Sequence, residues 1–161
     1  MKPLLLTVSS DPQERGAKVI HAKYVSLLRE LYSKFYPPIT SSENIDKIGD
    51  KLEKCPLTFV VVATGGTSDL ILRIAEHTRV VLLTHNEQNS LASALNAAFR
   101  LRRKGKYVKI LHDINDENIR ELERLSRISE ILSHLKKVEA VVFGVSDEWV
   151  RENYGVEFLE S

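Results

Sequence analysis

The chain predicts a doubly wound α/β fold: a three-layer sandwich with a mainly parallel sheet of five or more strands, of Rossmann/flavodoxin-like type. Three observations predict it. Apolar strand-length runs alternate with helix-periodic segments from one end of the chain to the other. The runs Leu57–Ala63 and Ala140–Val145 are apolar at successive positions, as expected of strands buried on both faces. No repeat, low-complexity tract or linker interrupts the alternation, and 161 residues suit a single domain with a substantial core.

The elements follow in order. Pro3–Val8 is the first strand. A long helix is expected next, with Ile20, Tyr24, Leu27, Leu28, Leu31 and Phe35 at spacings of three and four. Tyr36-Pro37-Pro38 ends it, because proline has no N–H to donate and restricts the residue before it. Ile39–Ser41 suits a short edge strand. Ser42 offers an N-cap for a short helix carrying Ile45, Ile48 and Leu52. The strand Leu57–Ala63 runs into Gly65-Gly66-Thr67 and a helix from about Ser68 to Glu76.

Strand Val80–Thr84 leads through the loop His85–Gln88 to the alanine-rich helix Asn89–Lys104, closed by Gly105. Tyr107–Leu111 is the next strand. Asp116 caps a charged helix whose apolar stripe is Ile119, Leu122, Leu125, Ile128, Leu132 and Leu135. Ala140–Val145 is a further strand, Asp147–Asn153 a short helix and Val156–Leu159 a last strand.

Composition bounds the function. Hydrophobic residues make up 43% of the chain and charged residues 28%, which is ordinary for a globular protein. A net charge of +1 supplies no concentrated positive field, so nucleic acid and anionic membrane are not expected partners. The one cysteine, Cys55, forms no internal disulfide and reads as a buried structural thiol. No apolar run approaches the ~20 residues that span a bilayer. The apolar stretch in MKPLLLTVSS is too short for a signal segment, so a cytoplasmic location is expected. Lys, Arg and Glu are plentiful and Gln is scarce, a thermophile-like balance.

Ligands of open parallel sheets bind beyond the carboxyl ends of the strands, where strand order reverses. In the order 2-1-3-4-5 that crevice lies between the first and third strands. Ser9-Ser10-Asp11 and Gly65-Gly66-Thr67-Ser68 meet there. The two glycines permit close approach of backbone, Thr67 and Ser68 offer hydroxyls, and the helix dipole favours an anion or polarised oxygen. Neither GxGxxG nor the P-loop pattern is present. The same residues also suit a plain turn and helix cap.

Neighbouring strand ends add His85-Asn86-Glu87-Gln88-Asn89, His112-Asp113 and Ser146-Asp147. His85/Glu87 and His112/Asp113 contain metal-ligating types, but as ordinary polar residues at strand ends they give no metal assignment. No GxSxG elbow or recognisable triad spacing occurs. The basic run Arg100–Lys106 lacks interleaved aromatics and complements the dipole of its own helix end. Trp149 suits packing or an interface.

Three segments together carry a resemblance: ATGGTSDLI at Ala63–Ile71, LLTHNEQNSLASALNAAFRLRRKG at Leu82–Gly105, and VFGVSDEWVRENYGVEFLES at Val142–Ser161. They resemble the N-terminal half of L-fucose isomerase-like proteins, relatives of the L-fucose and L-arabinose ketol isomerases. Gly144, Ser146 and Trp149 match that family's Gly-x-x-Ser-x-x-Trp element only approximately, and the first third of the chain matches by layout alone. The resemblance implies aldose–ketose isomerisation in full-length relatives, supported by a divalent metal, usually manganese, held in a later domain. That catalytic segment is not expected in this chain, which is therefore expected to hold no catalytic residue or metal of its own. The resemblance further implies that Gly65, Gly66, Thr67, Asn89 and Ser90, with His85, line the edge of a sugar site; Ser68 and Ser9 belong to the same crevice. It also implies a homo-oligomer, or a missing C-terminal domain. The alternatives are a generic α/β module binding a small anion or sugar, and a complete small enzyme of unseen chemistry.

Overall fold

The structure, a computed structural model, describes residues 1–10 and 15–135. Its strands are β1 (Leu4–Val8), β2 (Lys34–Phe35), β3 (Leu57–Val62), β4 (Arg79–Thr84) and β5 (Val108–His112). Its helices are α1 (Arg15–Leu27), α2 (Ser42–Asp46), α3 (Gly49–Lys54), α4 (Ser68–His77), α5 (Ser90–Arg103) and α6 (Asp116–Leu135). All strand pairs are parallel, in the order β2-β1-β3-β4-β5. This is the three-layer α/β sandwich expected from the alternation. The expected elements Ala140–Val145, Asp147–Asn153 and Val156–Leu159 lie outside the described residues.

Period-two alternation divides each strand between two cores. Leu4, Leu6, Val8, Val60, Val62 and Leu82 face α2 to α5, joining Ile45, Leu52, Ile71, Ile74, Ala94, Ala97 and Leu101. Leu5, Phe59, Val61, Val81, Leu83 and Leu111 face α1 and α6, joining Tyr24, Leu122 and Leu125. Both faces are therefore covered, which is why every residue of β1 and β3 is buried. Cys55 is buried, its thiol set on the Leu57 carbonyl at 2.9 Å.

Two expectations need correcting. The first helix ends at Leu27, well short of Tyr36, and Lys34–Phe35 is the edge strand β2. The reason is a competition for backbone hydrogen bonds. Ser33 N–H donates to the Pro3 carbonyl and Tyr36 N–H to the Leu5 carbonyl, which satisfies the open side of β1 and requires extended chain. Two residues of the apparent stripe, Leu27 and Phe35, stay exposed. Pro37-Pro38 then interrupts the pairing, which resumes as the single bridge Val8↔Ile39 instead of an edge strand over Ile39–Ser41.

The second correction concerns caps. Asn115, not Asp116, caps α6, its Oδ1 accepting the Asn118 N–H at 2.8 Å. Likewise Ser41, not Ser42, occupies the cap position of α2, and the expected single helix there is split into α2 and α3.

Candidate functional site

The chain reverses direction across the sheet between β1 and β3: β1 leads to β2 on one side, and β3 leads to β4 on the other. The carboxyl ends of these strands bring Ser9 and Ser10 beside Thr64 and Gly66. Ser10 N–H donates to Thr64 Oγ1 at 2.8 Å, and the two hydroxyls lie 3.0 Å apart. A Cβ on Gly66 would stand 3.7 Å from Ser10 Cβ, and Gly66 has φ +72°, the left-handed region that favours glycine. Ser9 is buried, its N–H bound to the Ile39 carbonyl.

The turn after β3 is fastened to the loop after β4. Gly65 N–H donates to the Gln88 carbonyl at 2.6 Å. An added Cβ on Gly65 would stand 2.9 Å from Asn89 Cβ and 3.3 Å from the Gln88 oxygen, so a side chain enters only if the opposing loop shifts. Gly65 is thus required for close approach, and Gly66 for its backbone angle. Gln88 and Asn89 both hold positive φ, 57° and 55°, in the residues that deliver the chain into α5.

The hydroxyls of Thr67, Ser68 and Ser93 beneath this turn form one network, with Ser90 bonded separately. Thr67 N–H donates to Ser93 Oγ at 3.1 Å, and Thr67 Oγ1 lies 3.1 Å from both the Thr64 carbonyl and Ser93 Oγ. Ser68 Oγ donates to the Ser93 carbonyl at 3.1 Å. Ser90 Oγ donates to the Val62 carbonyl at 2.6 Å and accepts from His85 N–H. Thr67 and Ser90 are buried; Gly66, Ser10 and Asn89 are exposed, with Ser68 and His85 half-buried. Sequence reasoning passed over Ser93 and Thr64. The available signal was that Ser90 and Ser93 share the apolar stripe with Ala94, Ala97 and Leu101, where a hydroxyl must find an internal partner.

A second polar group sits between β4 and β5. His112 Nδ1 lies 2.9 Å from Thr84 Oγ1 and Nε2 lies 3.0 Å from Asn86 Oδ1. Asn86 Nδ2 donates to Asp113 Oδ2 at 2.6 Å. The Tyr24 hydroxyl, from α1, reaches the Thr84 carbonyl at 3.4 Å. Burial pushes that phenol up to about 12, and the nearby Asp113 charge adds to the rise. His21, 2.8 Å from Thr7 Oγ1, is lowered by burial. Neither stood out in the sequence: Tyr24 sits within the periodic stripe of α1, and His21 is a lone polar residue beside it.

These arrangements bear on metal chemistry. His85 and His112 each have both ring nitrogens engaged by neighbours, with no nitrogen left to ligate. Among the described residues no group of three or more His, Cys, Asp and Glu side chains is placed to hold a metal ion. The described residues do not fit manganese. Asp11, Gly144, Ser146, Asp147 and Trp149 lie outside the described residues. The basic helix end is partly paired: Arg100 bonds Asp69 at 2.7 Å, Arg103 lies over the Phe99 ring, and Lys106 donates to the Ala75 carbonyl. Among the described residues, no helix is long and apolar enough to cross a membrane.

Comparison with protein-family models, with curated proteins and with solved structures gives no match to this chain.

Proposed function

We propose that this chain is the amino-terminal domain of an L-fucose isomerase-like protein, which supplies one edge of a sugar site and does not isomerise sugars alone. One observation carries the reading. The Gly-Gly-Thr turn, which underlies the resemblance, is bonded to the residues flanking the Asn-Ser-Leu segment, Gln88 before it and Ser93 after it, next to the reversal point of the sheet. The exposed groups there are neutral donors and acceptors from Ser10, Gly66 and Asn89, with the half-buried Ser68 beside them, which orient a polyol by hydrogen bonds. Isomerisation additionally needs a positioned base and an electrophile for the enediolate. Self-association belongs to the same reading. The exposed side of α6, where Ile131 and Leu135 stand in solvent, is its surface.

A generic anion-binding module is the second reading. It is favoured by the absence of a side-chain cap on α4, where Thr67 spends its hydroxyl on the Thr64 carbonyl.

The test is a titration of 15N-labelled protein with L-fucose, L-arabinose and inorganic phosphate. Millimolar sugar affinity, about −4 kcal/mol, is expected from a half-enclosed rim. Shifts should centre on the amides of Gly66, Ser68, His85 and Asn89. No shift at about 100 mM sugar overturns the proposal, and shifts with phosphate alone transfer it to the second reading. With manganese added, no ketose should form; turnover by the purified chain would overturn the rim reading. Sedimentation of the same sample at micromolar concentration should show more than monomer.

A further inference from the structure

The proton on His85 is assigned by its partners. Nε2 lies 3.1 Å from the Ala63 carbonyl oxygen, which can only accept, so Nε2 bears the hydrogen. Nδ1 receives the Glu87 N–H at 3.2 Å, which can only donate, so Nδ1 offers its lone pair. The ring therefore joins the end of β3 to the loop that follows β4, and the same loop presses the Gln88 carbonyl onto Gly65 N–H.

We infer that His85 is the positioning residue of this rim, a latch that holds the β4–α5 loop against the β3–α4 turn. The inference rests on reading the rim as a ligand edge. Three features converge on it. Gln88 and Asn89 occupy left-handed backbone, which Asn tolerates but Gln disfavours, so the loop needs an external hold at Gln88. The Gly65–Asn89 approach leaves no space for slippage toward the turn. The loop is anchored on its other flank by Asn86, bound to His112 and Asp113, so release at His85 frees its middle rather than the whole segment. The latch fixes the spacing between Gly66 and Asn89, two exposed members of the rim. It acts through the loop; its nitrogens are unavailable to the ligand. A metal ion or substrate that took either nitrogen would open the rim.

Ring 15N correlations on the unmodified protein test the assignment directly. His85 should show one protonated and one lone-pair nitrogen at neutral pH, as a fixed Nε2–H tautomer; rapidly averaged nitrogens overturn the latch, whether or not any variant folds. His85→Ala should speed amide hydrogen exchange at Gly65 and Glu87 by about five- to tenfold, the loss of one to two hydrogen bonds, and leave Val60 and Leu82 unchanged. His85→Asn, which places an acceptor near the position of Nδ1, should restore protection at Glu87 and leave Gly65 faster. Equal acceleration at Val60 and Leu82 would mean a role in the whole fold and overturn the proposal. Weaker sugar binding with unchanged exchange at Gly65 and Glu87 would mean direct ligand contact and also overturn it. A latch confirmed by these measurements in a protein that gives no shift with sugar leaves the positioning role standing and removes the sugar reading alone.

Discussion

At the scale of single residues, the two adjacent glycines do different work. Gly65 lies where an added Cβ meets Asn89 Cβ at 2.9 Å; Gly66 has room, but a backbone angle of φ +72°. Gly65→Ala should destabilise the protein by roughly 1–3 kcal/mol, because the opposing loop must move. Gly66→Ala should cost about 1 kcal/mol, the ordinary penalty for a left-handed alanine. Urea denaturation of both variants checks the order. The sequence shows that both glycines matter, since Gly-Gly between a strand and a helix marks a close turn. It does not show what lies opposite, because the partner, Gln88–Asn89, comes from another strand end more than twenty residues on. The same limit hid Ser93: nothing local distinguishes a stripe serine that bonds Thr67 from one that back-bonds its own helix.

At the scale of elements, helices and strands with uncontested hydrogen bonding were legible. Strands β3 and β4 and helices α4 and α5 match the periodic runs within a residue or two. The segment after α1 was not, because its spacing of apolar residues is helical while its backbone groups complete the open side of β1. Long-range pairing outweighed local periodicity there. Caps repeat the lesson in miniature: Asn115 and Asp116 are both good cap residues, and only the Asn115 Oδ1 to Asn118 N–H bond separates them. Asn115→Ala should lower thermal stability by about 1 kcal/mol, whereas Asp116→Ala should leave the cap bond intact. Thermal melts of the two variants decide between them.

At the scale of the whole molecule, the strand order follows from the alternation of elements and the prevailing layout for such chains, and it places Ser10 beside Gly66 without further information. Tyr24 shows what that layout leaves hidden, since α1 carries its hydroxyl to the end of β4, sixty positions away in the chain. Its proton is held more tightly in the fold than in the unfolded chain, from an ordinary 10.0 to about 12. A raised folded-state value leaves stability unaffected below about pH 10 and lowers it as pH rises from 10 through 12, because the unfolded chain loses its proton first. Tyr24→Phe should flatten this alkaline loss, as read by chemical denaturation at pH 9 and 11.

Helix α6 returns to the beginning of the chain. Ser129 Oγ donates to the Met1 carbonyl at 3.1 Å and Ser126 Oγ to the Leu31 carbonyl at 3.0 Å, while Leu122 and Leu125 cover the face of the sheet that holds Leu5, Phe59 and Leu83. During synthesis, then, β1 leaves the ribosome well before α6 and waits for its cover until α6 has followed. Until that moment one apolar face of the nascent sheet is only half clad, by α1. Among the described elements β1 is made long before the helix that covers it, so the interval before α6 emerges is when this face of the nascent sheet is most open to wrong contacts.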